Sequence, residues 1–236
     1  MQYFALLLSP SDAPEERTDP EAAAREMKAY TDFHTREAAS IRAGDALTPA
    51  AEGVRITGGP DAPVVTDGPF PESAEIAGGF YVFEADDLDA ALALARQVPH
   101  ASKGAVELWP MVMEFQPTSK LTGDHWLALL IEPADNAHEP GSDEWNAAAA
   151  KHGELASAVG DHFVGGAALH PPSTATTVRV RGDDVLLTDG PFVEGAEVAN
   201  GFYLLSAADR DEAVKLASMI PATTVELRRL MGIAGL

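Results

Sequence analysis

"TDGPF" occupies Thr66–Phe70 and returns at Thr188–Phe192. Its two aspartates, Asp67 and Asp189, lie 122 residues apart. Working outward, the same spacing joins "GDALTP" (Gly44–Pro49) to "GAALHP" (Gly166–Pro171), and "GGFY" (Gly78–Tyr81) to "NGFY" (Asn200–Tyr203). "VP" at Val98–Pro99 answers "IP" at Ile220–Pro221 in the same way, and the halves close alike, in "VELWPM" and "VELRRLM". A self-match at fixed period over this length marks a duplicated structural unit. Two copies of one domain are expected at residues 1–116 and 125–236, with the aperiodic residues 117–124 as linker. "VRIT" (Val54–Thr57) and "VRVR" (Val178–Arg181) stand 124 apart, so matching Arg55 to Arg179 requires compensating two-residue gaps.

The charge limits what the chain can bind. Its net charge of −21 is spread over both halves and no segment is basic, which excludes phosphate-backbone recognition of nucleic acid. Cysteine is absent, removing disulfides, thiolate nucleophiles and thiolate metal sites, and a cytoplasmic location is the expectation. The opening apolar run is about six residues long and ends in proline and acids, too short for a signal peptide or a membrane span. No membrane partner is expected.

Each copy reads as a strand, a long helix, several strands, a second helix and a last strand. The openings Tyr3–Leu8 and Trp126–Ile131 are apolar nearly throughout, as a strand buried on both faces must be. The first long helix starts at a Thr18 or Asp19 cap with Pro20 in its first turn, and is read as running to just before Gly44. Its stripe is Met27, Tyr30, Phe33, His34 and Ile41. The second runs from Ser142 or Asp143 to about Phe163. A β-hairpin, a strand, a short helix and a final strand complete each copy. Helices on one face of such a sheet define a ferredoxin-like α+β domain. The bare faces of two such sheets would pack together as an intrachain pseudo-dimer.

The succession G-x-A-L-x-P, T-D-G-P-F-x-E and (G/N)-G-F-Y, present in both halves, resembles the YCII-related family in its DGPF branch. The resemblance covers nearly all of both copies and implies a dimeric α+β barrel, here within one chain. It implies no single activity. Some relatives act in degradation of chlorinated aromatics, a His–Asp pair has been proposed as catalytic in parts of the family, and DGPF-branch proteins are often encoded beside extracytoplasmic-function sigma factors.

Asp67 and Asp189 are the first candidates for chemistry. Beside Phe70 or Phe192, at the mouth of an apolar cleft, a desolvated carboxyl would act as general acid or base. The structural alternative is an Asx-turn in which the carboxylate caps its own backbone. His34 and His152 are candidate proton carriers. They do not correspond: at the 122-residue spacing His34 matches Ala156 and His152 matches Tyr30, one helical turn away. Arg55 and Arg179 are candidates for binding a substrate carboxylate, and Tyr30, Tyr81 and Tyr203 for lining a cleft. Without Cys, H-E-x-x-H or histidines at ligand spacing, no metal is expected, and no cofactor is implied. The leading expectation is a small-molecule ligand in a cleft of each half, with a cofactor-free lyase or isomerase-type reaction on the aspartates. The rival is a non-catalytic assembly or regulatory module tied to a sigma-factor system. A homodimer of the whole chain is a further assembly to test.

Overall fold

The computed structural model describes residues 1–10, 19–70, 75–133, 136, 138–190 and 197–234. Twelve strands and four α-helices are described within that range. The first half contains β1 (Gln2–Pro10), α1 (Pro20–Glu37), β2 (Ile41–Ala46), β3 (Val54–Thr57), β4 (Val64–Asp67), β5 (Glu75–Glu84), α2 (Leu88–Ala95) and β6 (Ala105–Pro110). The second repeats this order as β7 (His125–Pro133), α3 (Asp143–Val159), β8 (Phe163–Ala168), β9 (Thr176–Arg181), β10 (Asp184–Asp189), β11 (Glu197–Ser206), α4 (Arg210–Ala217) and β12 (Thr224–Arg229).

Caps define the helix starts. The Asp19 side chain accepts from Glu21 N at 2.9 Å, with Pro20 in the first turn, and Ser142 accepts from Trp145 N at 3.1 Å. Both long helices end sooner than their periodicity suggests. The segment read as the last turn of the first is strand β2, which pairs with β5, and the second gives way at Gly160–His162 to a 3-10 turn before β8, which pairs with β11. Ile41 continues the helical spacing, but its burial comes from lying opposite Phe83 in the sheet.

Two six-stranded sheets result, ordered β10-β9-β6-β1-β5-β2 and β4-β3-β12-β7-β11-β8. The last four strands of each order, β6-β1-β5-β2 and β12-β7-β11-β8, come from one copy and have the antiparallel ferredoxin-like order. The first two come from the other copy: hairpin β3–β4 extends the second copy's sheet through β12, and β9–β10 extends the first copy's through β6. The copies exchange hairpins. Register corrects the gapped match between them. Val54 and Arg55 lie opposite Leu227 and Glu226, while Thr176 and Thr177 lie opposite Leu108 and Glu107. Arg55 therefore corresponds to Thr177 at the constant spacing, and Arg179 to Thr57, with no gaps.

Alternation along the strands sorts three cores. Phe4, Leu6, Phe80 and Val82 face Leu127, Leu129, Phe202 and Leu204 between the sheets. The Phe4 and Phe202 rings stack there at 4.5 Å across the pseudo-twofold axis. The opposite faces pack under helices, Tyr3, Ala5, Tyr81 and Phe83 in one copy and Trp126, Ala128, Tyr203 and Leu205 in the other. Single bridges Leu47–Leu230 and Met111–Leu169 join the edges of the two sheets. The assembly is a two-sheet α+β barrel made within one chain. No helix is long and apolar enough to cross a membrane among the described residues.

Candidate functional site

The first TDGPF turn is an anchoring point between the copies. Asp67 pairs with Val54 at the end of β4, and Gly68 N donates to Gly53 O at 2.9 Å. A Cβ on Gly68 would stand 2.2 Å from Ala50 O, so only glycine fits this approach. Phe70 is buried, and the Arg55 guanidinium lies over its ring at 4.4 Å. Among the described residues the Asp67 carboxylate makes no capping bond to its own turn. It accepts a hydrogen bond from Arg210, in the first turn of α4 of the other copy. Phe192 lies outside the described residues.

That ion pair spans a cleft of about 460 Å³. The first copy contributes Thr48, Ala51, Glu52, Gly53 and Asp67, and the second Trp126, Ala208, Asp209, Arg210 and Arg229. Trp126 is 4% exposed, and its indole N–H has no hydrogen-bond partner among the described residues. The Thr48 hydroxyl is in the same position. Buried polar groups without partners are uncommon in folded proteins, and both belong to residues that line this cleft.

The histidines are elsewhere. His34 Nε2 lies 2.6 Å from the Tyr81 hydroxyl, and His152 Nδ1 lies 2.8 Å from the Tyr203 hydroxyl. Histidines one helical turn apart thus reach the same repeated tyrosine. Gly44 and Gly166 make room for those rings, since a Cβ would come within 2.4 Å of Tyr81 Cδ1 or 2.8 Å of Tyr203 Cδ1. Burial lowers the pKa of both histidines and raises those of Tyr30 and Tyr81, while Tyr203 is pushed up to about 12. These are neutral pairs between helix and sheet. Because the hairpins are exchanged, Asp67 belongs to the sheet opposite the one over which His34 lies, and the structure does not bring the two together. Asp189 is exposed at the end of β10.

Charged groups also lie on the inner sheet faces. Glu226 is 3.5 Å from Arg55 and 3.6 Å from the buried Arg228. At the matching place in the other sheet, Glu107 accepts from Trp109 Nε1 at 2.7 Å. Near it, burial raises the Glu75 carboxyl to about 7, assisted by Glu107 and opposed by Arg179. The repeated "VEL", an acid inside an apolar strand, was the sequence signal for both glutamates. No group of three or more His, Cys, Asp or Glu side chains is placed to hold a metal ion among the described residues.

The YCII-related domain model matches the chain twice, at residues 16–116 and 124–231. The chain belongs to the YCII-related family. An uncharacterised protein of Rhizobium meliloti (strain 1021) is 41% identical over 51 residues, a match covering 22% of this chain and 41% of that relative's length. A solved structure provisionally described as a chlorite dismutase aligns over 99% of this chain and 97% of its own, with 9% identity and a TM-score of 0.40.

In this YCII-related chain the two copies of the cleft differ. Leu88 stands where the second copy has Arg210. By register, Tyr3 and Pro110, which face each other, correspond to Trp126 and Arg229. Both arginines and the indole therefore belong to the Asp67 side alone. Arg210, Arg229 and Trp126 escape a sequence reading that compares copies, because each differs between them.

Proposed function

We propose that this YCII-related protein binds one small organic molecule per chain, in the cleft between its copies. Asp67 is the group positioned to exchange a proton with it. The observation that carries this reading is the cleft holding Asp67, two of whose lining residues, Trp126 and Thr48, carry buried polar atoms with no hydrogen-bond partner among the described residues. A ligand carrying a hydrogen-bond acceptor satisfies the indole, and Asp67 would then serve as general acid or base in a cofactor-free lyase or isomerase-type reaction. Asp189, surrounded by positions that lack the arginines and the indole, is left with a scaffold role.

Ligand-observed NMR with a panel of small aromatic and carboxylic fragments tests the binding step. Fragments that bind wild type are expected to lose affinity in Trp126→Phe, which keeps the ring and removes the N–H. A panel that binds both proteins equally, or neither, would sink the reading. The ion pair of Asp67 with Arg210 favours a second reading, a non-catalytic regulatory module, because it engages the carboxylate in holding the copies together. Asp67→Asn separates the two: an enzyme loses turnover on a fragment it still binds, and a module shows no turnover to lose.

A further inference from the structure

The cleft is polarised. The wall from the first copy carries Glu52 and Asp67, and the wall from the second carries Arg210, Arg229 and Trp126. Asp209, on that second wall, is already engaged, accepting from Glu212 N at 2.9 Å as the cap of α4. Asp67 and Arg210 meet across the gap, yet their side chains are 74% and 43% exposed. An ion pair this exposed contributes little and is cheaply opened.

We propose that the ligand of this cleft is a small zwitterion, an amino-acid-like molecule whose carboxylate lies against Arg210, Arg229 and the Trp126 N–H and whose ammonium faces Asp67 and Glu52. The inference rests on the binding reading above and names its substrate class. Inserting such a molecule replaces one exposed ion pair with two, each made through charge-assisted hydrogen bonds. No net charge is left over. That matters for a chain of net charge −21, whose field repels a simple anion and leaves a zwitterion unaffected. A simple cation would draw Asp67 away from Arg210 and bring that guanidinium no acceptor in exchange, whereas Arg229 already donates to Gly123 O at 2.5 Å and lies 3.5 Å from Asp124.

The test uses the full chain and four probes of nearly equal shape: phenylalanine, phenylalaninamide, 3-phenylpropionate and 3-phenylpropionamide. Binding is followed by calorimetry and by the indole N–H signals of the three tryptophans, with Trp126 assigned through Trp126→Phe. Phenylalanine is expected to bind about tenfold or more tighter than either singly charged relative, the effect of one charge-assisted hydrogen bond, and to move the Trp126 signal. Arg210→Gln is expected to erase that preference while thermal unfolding of the variant stays cooperative. Equal binding of the acid or the amide, or a preference that survives Arg210→Gln, overturns the zwitterion assignment and leaves the cleft standing as a binding site. Failure of all four probes to move the Trp126 signal overturns the assignment too. The underlying binding reading falls only if the wider fragment panel also fails.

Discussion

Glu75 shows how much one side chain can report about its surroundings. Both of its carboxyl oxygens are buried without a hydrogen-bond partner among the described residues. Burial and the neighbouring Glu107 raise its pKa from an ordinary 4.5 to about 7. The folded protein therefore keeps a proton on Glu75 in a pH range where the unfolded chain has lost it. Stability from this group is fully present below about pH 4.5 and is lost as pH rises toward 7. Glu75→Gln is expected to leave stability at pH 4 nearly unchanged and to add about 1–2 kcal/mol at pH 8, read as a flatter dependence of the urea midpoint on pH. An unchanged slope would show that other groups set that dependence. Only tertiary register reveals the neighbours of Glu75: Glu107 of β6, which raises it, and Arg179 of the exchanged strand β9, which opposes the rise.

At the level of elements, what was legible followed from local physics. The doubly buried opening strands, the capped helix starts and the second helices after Asp87 and Asp209 all announce themselves in apolar spacing and polar punctuation. Strands β2 and β8 did not. The turn before β2, Ala38–Ser40, carries neither glycine nor proline, and Ile41 falls in phase with the helix, so periodicity alone runs past the true end. Hairpin exchange left no local trace either, because the residues of β3 are equally suited to either sheet. Its consequence is visible at the outer strands, where Val64, Val65, Val185, Leu186 and Leu187 are exposed on β4 and β10. Apolar edge strands invite pairing with another chain. Self-association is expected to run along these edges, so Leu186→Lys should abolish concentration-dependent sedimentation. Persistence of association in that variant would place the contact elsewhere.

For the whole molecule, the duplication predicts more than the fold class. Each copy completes its sheet with the other's hairpin, so neither 1–116 nor 125–236 can bury its own outer strand when alone. Produced separately and mixed, the two halves are expected to form a one-to-one complex with a single cooperative melting transition, while each half alone is aggregated or loosely folded. A half that melts cooperatively by itself would show that its hairpin can fold back onto its own sheet. The covalent join between the halves carries a separate consequence. A homodimer of identical repeats has to present every groove twice, and any substitution that improves one groove alters the other. With each position encoded twice in one polypeptide, Arg210 and Arg229 can be installed on one side while Leu88 and Pro110 stand on the other. Fusion frees the protein from its own symmetry, so one half can specialise while the other holds the shape.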